Sequence, residues 1–123
     1  MGGIKYGEPG LVYVITQPVH LAHKIGISGQ GAWSRRRKNH LREGWLLFRT
    51  LNRATVDDAI AVEQAVLRHL REVLLLPPYL TNEFMPYWGA GETVSADGIS
   101  LISLWGLTLQ QARSLAAKQL SSP

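Results

Sequence analysis

Five side chains between residues 13 and 63 are of types that could together transfer protons and bind phosphate: Tyr13, Lys24, Arg36, His40 and Glu63. A phenol can exchange a proton with water, and a neighbouring lysine ammonium favours its charged form. Arg36 and His40 are four apart, so on a helix they project from the same side, where an arginine can hold a phosphate through two parallel hydrogen bonds. A tyrosine between apolar neighbours is also typical of a packed core. The chemistry therefore depends on whether the fold brings these groups together.

Glu63 is the most informative of these residues because of its place in a helical repeat. Ala59 and Val62 belong to an apolar stripe, and Glu63 lies about 40° from Ala59, at the edge of that stripe. A carboxylate that borders a core needs a partner, and a hard divalent cation is one such partner. A salt bridge to Arg36 or Lys24, or a backbone donor, is the alternative.

Gly26 occupies the centre of an unusually polar strand face. In a strand over residues 23–28, Lys24, Gly26 and Ser28 point to one side and two isoleucines point to the other. Glycine weakens a strand, so its presence here predicts the close approach of a ligand or of another backbone. A bulge or tight packing against a helix is the alternative explanation.

The elements that must position these groups follow from local patterns. Residues 11–16 are β-branched or aromatic and predict a buried strand, and the loop to the next strand is too short for a crossover helix, so the two strands should form an antiparallel hairpin. Thr55 can cap a helix that has two aspartates in its first turn. The predicted order is strands over 11–16 and 23–28, a helix over 33–43, a strand over 45–52, a helix from 55 to the prolines at 77 and 78, and a helix over about 108–120.

The order of these elements predicts the fold class. The chain has 123 residues, close to the usual size of one domain, so a single domain over 1–123 is expected. The elements indicate an α/β fold of the α+β type, with a small three-stranded antiparallel sheet flanked by helices. Residues 84–123 form a C-terminal helical extension, which should pack on the domain or on a second copy of the chain.

Charge and composition narrow the classes of partner. The net charge is +4, with a basic run on the predicted helix over 33–43. Such a run is typical of a surface that binds a polyanion, and it is also typical of a solvated helix face. The chain has no cysteine, no targeting signal and no apolar run long enough for a membrane span, so a soluble, cytoplasmic protein without a membrane partner is expected. The residues of the basic run are Arg35, Arg36, Arg37, Lys38, His40 and Arg42.

The motifs occur in the same order as in a known family. Leu-Val-Tyr at 11–13 and Lys-Ile-Gly at 24–26, separated by ten residues, resemble the paired motif that names the GIY-YIG nuclease superfamily. Residues 36–40 resemble the family's arginine helix and residues 62–67 its glutamate helix, so the GIY-YIG-like core covers residues 10–83. The family's second tyrosine is a lysine here, as in some phage-type and restriction-type members, and its first glycine is a leucine.

The resemblance implies a metal-dependent endonuclease that hydrolyses DNA, with RNA as the alternative substrate. Tyr13 would activate a water molecule, Glu63 would hold one Mg²⁺ or Mn²⁺ ion, and Arg36 would neutralise charge on the phosphate. Lys24 and His40 would tune the phenol or hold the scissile phosphate. The substrate-binding residues that the resemblance implies are Gly26, Arg35, Arg37, Lys38 and Asn82.

Two other classes of function are compatible with these residues. A binding module could keep the fold and the basic helix without cleaving nucleic acid. An adaptor could instead use the basic helix to meet an acidic protein partner. The extension over 84–123 could also carry a homodimer contact, in either an enzyme or a binding protein.

Overall fold

The computed structural model describes residues 7–80 and 90–121, which form one antiparallel sheet and three α-helices. The strands are β1 (Gly10–Gln17), β2 (Ala22–Gly29), β3 (Leu46–Arg53) and β4 (Thr93–Ser95). The α-helices are α1 (Trp33–Arg42), α2 (Val56–Arg68) and α3 (Leu101–Ser121); a π-helical turn (His69–Val73) continues α2, and a short 3-10 helix (Ala90–Glu92) precedes β4. The strand order across the sheet is β3-β1-β2-β4. The α+β class is therefore confirmed.

The predicted hairpin of β1 and β2 is also confirmed, and its register places the polar residues. The strands pair antiparallel, with Tyr13 opposite Gly26 and Ile15 opposite Lys24. Directly opposed residues point to the same face of a sheet. Tyr13, Gly26 and Lys24 therefore share one face.

The two faces of the sheet have separate apolar cores. Val12 and Val14 of β1 point to the face that α2 and α3 cover, where they belong to the larger buried cluster. Tyr13 and Ile15 point to the opposite face and pack in a smaller cluster with Trp45. Tyr13 and Lys24 therefore lie on the side of the smaller core, whereas Glu63 belongs to α2, which covers the larger core.

The start of α2 follows the sequence pattern, whereas its end does not. Thr55 accepts a hydrogen bond from the backbone N–H of Asp58 at 3.1 Å, which caps the first turn as predicted. The helix was expected to run to the prolines at 77 and 78, but regular α-helix ends at Arg68 and the π-helical turn ends at Val73. Arg71 donates to the carbonyl oxygens of residues 76, 91 and 93, and this tie between the helix end and β4 has no local sequence signal.

The C-terminal region differs most from expectation. The prediction of a three-stranded sheet is wrong because β4, three residues long, pairs with β2 and makes a fourth strand. The last helix begins at Leu101 rather than near 108, because Leu104 is already needed in the larger core, where Leu107 and Ala112 follow it. Residues 93–95 and 101–121 thus complete the sheet and the larger core, which is the first of the two expected places for this region, packed on the domain itself. Within the described residues, no helix combines the length and apolarity needed to cross a membrane.

Candidate active site

Tyr13 is the centre of a buried polar cluster built from three elements. Its side chain is 1% exposed, inside the smaller core. The phenol oxygen lies 2.8 Å from Nε2 of His40 on α1 and 3.1 Å from Nζ of Lys24 on β2. The Trp33 ring packs against the phenol ring, with 4.7 Å between centroids. The structure thus brings Tyr13, Lys24 and His40 into direct contact from separate parts of the chain.

The direction of the two hydrogen bonds follows from the protonation states. Lys24 can only donate, so it occupies a lone pair of the phenol oxygen. Burial, and after it the charges of Lys24 and Arg36, together lower the pKa of His40 to about 4. His40 is therefore neutral at pH 7, and a neutral imidazole nitrogen without a proton accepts hydrogen bonds. In the tautomer that carries its proton on Nδ1, His40 presents a bare Nε2, and the phenol then donates its own proton to that nitrogen.

Lys24 is held charged although it is almost completely buried. Burial alone would lower the pKa of its amine, but the nearby Tyr13 and the Glu92 carboxylate outweigh this, and the net shift is upward. Its Nζ lies 2.9 Å from Oε2 of Glu92, in the turn before β4. The ammonium thus bridges the phenol to a carboxylate.

Gly26 is required by the position of the phenol. A Cβ atom at Gly26 would collide with Cζ and the phenol oxygen of Tyr13, and it would lie 2.9 Å from Nζ of Lys24. The sequence offered a ligand, a backbone, a bulge or tight packing against a helix as the reason for this glycine. The structure shows a different reason, because the side chain of the opposing tyrosine lies across the glycine to reach the lysine.

Glu63 carries the clearest sign of an unmet interaction. Its side chain is 4% exposed, as its place beside the apolar stripe predicted. Burial, and after it the negative charge of Glu92, raise the pKa of its carboxyl to about 7. One oxygen accepts a hydrogen bond from Gln64 at 3.1 Å, whereas the other, Oε2, is buried without a partner among residues 7–80 and 90–121. The alternative that the sequence left open, a salt bridge from Glu63 to Lys24 or Arg36, is not formed among these residues.

The residues present fit a hard divalent cation in a limited way. No set of three or more His, Asp or Glu side chains within the described part of the chain could enclose an ion. Mg²⁺ is commonly held by one or two carboxylates, with water and substrate phosphate as its remaining ligands. The buried free oxygen of Glu63 meets that requirement, and the charge of Glu92 acts on the same carboxyl.

Arg36 has a hydrogen-bond donor without an acceptor, close to the same cluster. Its Nε is buried and has no acceptor among the described residues, and its charge acts on His40. The chain therefore has an unused donor at Arg36 and an unused acceptor at Glu63, both linked electrostatically to the Tyr13 cluster. Nε of Arg53, at the far end of β3 opposite Gly10, is also buried without an acceptor among the described residues. Such a donor therefore occurs outside this cluster as well.

The remaining predicted residues lie around this centre or outside the described chain. Arg35, Arg37 and Lys38 are exposed on α1, as expected for residues that meet a polyanion from solvent. Asn82 lies outside the described residues. Glu92 was not predicted, because it follows a glycine-rich segment with no helical or strand pattern, and only the pairing of β4 with β2 brings it to Lys24.

The site thus draws on four regular elements and on the turn before β4. Comparisons with family models, with curated proteins and with solved structures found nothing that matches this chain. The chemistry of the site therefore has to be argued from its own geometry. That geometry joins a phenol, an imidazole and an ammonium by direct hydrogen bonds, with an arginine and a carboxyl near enough to influence their charges.

Proposed function

We propose that this protein is a metal-dependent endonuclease that hydrolyses phosphodiester bonds of DNA. The observation that carries the proposal is the Tyr13 phenol oxygen, buried 3.1 Å from an ammonium that donates to it and 2.8 Å from Nε2 of a neutral imidazole, which accepts from it in the Nδ1-protonated tautomer. A phenol with these two partners has an immediate route for its proton. Core tyrosines that serve packing alone do not require a buried lysine beside them, because burying an ammonium is costly.

The route of the proton follows from the two hydrogen bonds. In the reaction, water gives a proton to the Tyr13 oxygen while the phenol proton passes to Nε2 of His40, so the attacking oxygen becomes hydroxide-like as it reaches phosphorus. The bond from phosphorus to the 3′ oxygen breaks, and that oxygen leaves as an alcohol after taking a proton from solvent. Lys24 stabilises the partial negative charge that the phenol oxygen carries while the two protons move.

The substrate itself removes an obstacle to this proton transfer. The pKa of His40 is low because of burial first and then because of the charges of Lys24 and Arg36. A phosphate diester that accepts from Nε of Arg36 would offset that positive charge and make protonation of His40 easier. Arg36 would thereby bind the phosphate, and its neutralisation by the phosphate would allow His40 to accept the proton.

Glu63 is the residue that would hold the divalent cation through its free oxygen. Bound there, Mg²⁺ or Mn²⁺ would supply Lewis-acid stabilisation of the leaving oxygen. Arg35, Arg37 and Lys38 would position the nucleic-acid backbone from the exposed side of α1, since such contacts give affinity without reading sequence.

Nicking of supercoiled plasmid in Mg²⁺ and in EDTA tests the proposal. Tyr13→Phe and Glu63→Ala should each reduce the nicking rate by about a hundredfold or more, whereas circular dichroism should show folded protein. The matched controls are Tyr79→Phe and Glu72→Ala, which alter an exposed tyrosine and an exposed glutamate. Nicking that resists EDTA or survives both site substitutions would contradict the proposal.

A second candidate is a nucleic-acid-binding module that does not cleave, and the exposed basic face of α1 favours it equally. Binding to labelled DNA or RNA in EDTA, with no cleavage when Mg²⁺ is added, would identify this class.

A cytoplasmic location is part of the proposal. So is a homodimer contact at the exposed apolar residues Ile102 and Leu120 of α3, which sedimentation of the purified chain would test.

A further inference from the structure

A pocket of about 220 Å³ opens beside His40, between α1 and the start of β3. Two indoles, Trp33 and Trp45, form part of its wall, and Arg37 and His40 contribute polar edges. His40 is thus shared, because its Nε2 contacts the Tyr13 phenol while its ring also borders this pocket. The pocket lies immediately next to the proposed site of phosphate cleavage.

The rim of the pocket is apolar and open to solvent. Leu41 on α1 is 60% exposed and Leu47 on β3 is 37% exposed. β3 has a bulge at Phe48, so Ile15 pairs with Leu47 instead of Phe48, and Leu47 is turned to the face that holds Tyr13. Exposed apolar side chains gathered around one concavity, instead of being scattered singly, indicate a binding surface.

The lining has the chemistry that a nucleobase requires. A base has two flat apolar faces and a polar edge, and it stacks well on aromatic side chains regardless of sequence. The pocket would hold roughly seven waters, which is enough room for one planar base. Arg37 adds positive charge where the phosphate of the same nucleotide would lie, so charge complementarity favours a nucleotide over an apolar peptide.

We propose that this pocket binds an unpaired base of the nucleotide next to the scissile phosphate. The inference rests on the proposed nuclease function and deepens it, because a paired base inside a duplex cannot enter a pocket in the protein. Single-stranded DNA, or duplex DNA from which one base has been extruded, is therefore the substrate class.

The test uses nucleotide fragments in EDTA, so that binding is measured without cleavage. The ¹⁵N-labelled protein is titrated with deoxyadenosine 5′-monophosphate and with 1,2-dideoxyribose 5-phosphate, which lacks the base. The indole N–H signals of Trp33 and Trp45 should move with the nucleotide and stay fixed with the sugar phosphate. Trp105, which packs against the larger core, should not respond to either.

Paired variants locate the binding at the pocket. Leu41→Gln with Leu47→Gln should weaken the Kd for the nucleotide by about fivefold, because apolar contact with the base is lost. Both positions are exposed, so the fold should survive. Val19→Gln, at an exposed apolar position in the turn between β1 and β2, should leave the Kd unchanged. The double variant should also reduce affinity for a single-stranded oligonucleotide more than for the matching duplex.

Three results would overturn the pocket proposal. Equal shifts with the sugar phosphate would show phosphate binding alone, and absent shifts would show no binding. Shifts that depend on protein concentration without nucleotide would show a contact between copies of the chain. Base binding without Mg²⁺-dependent nicking would instead count against the nuclease function, so the two failures are distinguishable.

Discussion

Replacing Glu63 with glutamine should stabilise the folded protein near pH 8 while removing the proposed metal ligand. The carboxyl has its pKa raised by burial and by Glu92 to about 7, from a usual value of 4.5. Between these pH values the folded chain binds more protons than the unfolded chain. The free energy of unfolding of the wild type should therefore fall as the pH rises through this window.

The size of the effect follows from the shift. One pKa unit corresponds to about 1.36 kcal/mol, so the wild type should lose roughly 3 kcal/mol of stability from this group between about pH 4 and pH 8. Glutamine keeps the shape and carries no charge. Leaving its amide hydrogens without acceptors costs about 1 kcal/mol, so a net gain of about 2 kcal/mol at pH 8 is expected for Glu63→Gln.

Urea unfolding followed by circular dichroism at pH 4.5, 6 and 8 measures this gain, with Glu72→Gln as a control at an exposed glutamate. The difference in free energy of unfolding between variant and wild type at each pH isolates the contribution of Glu63 from that of the other titrating groups. Saturating Mg²⁺ at pH 8 should stabilise the wild type but not Glu63→Gln, because a ligand stabilises only the state that binds it. A variant no more stable than wild type at pH 8 would refute the electrostatic reasoning, and equal stabilisation of both proteins by Mg²⁺ would refute the metal assignment.

Three further predictions concern the cluster around the phenol. Gly26→Ala should lower the free energy of unfolding in urea by about 1–2 kcal/mol and abolish nicking, because its methyl group displaces the phenol. The control Gly106→Ala, at an open position in a helix, should leave stability unchanged or raise it by up to about 1 kcal/mol. Glu92→Gln should lower the pKa of the Glu63 carboxyl in a ¹³C NMR titration, and an unchanged value would show that the two carboxyls do not interact. His40→Gln should reduce the loss of stability on acidification, because burial, more than the neighbouring charges, holds the pKa of the folded imidazole at about 4. The stability that the neutral imidazole contributes is present above about pH 6.5 and is lost as the pH falls through about 4. Parallel curves of stability against pH for variant and wild type would contradict this.

Local patterns in the sequence determined most of the regular structure. The β-branched run at 11–16 and the short connection after it predicted the hairpin, and Thr55 predicted the start of α2, because both signals act between near neighbours in the chain. Helical periodicity also located Glu63 at the edge of the core, since in a helix the position in the sequence fixes the direction in which a side chain projects. Residue types and order suggested the proposed chemistry, although they did not fix which groups touch.

Tertiary structure alone decided the features that depend on distant parts of the chain. β4 is too short to have a pattern of its own and exists through its pairing with β2, and that pairing brings Glu92 to Lys24. The neutral state of His40 arises because burial, the Lys24 ammonium on β2 and the Arg36 guanidinium on its own helix all act on one ring. The bulge at Phe48, which shapes the pocket rim, follows from how β3 meets β1. Register, burial and charge environment are set by contacts between elements, so they become readable only when those elements are packed together.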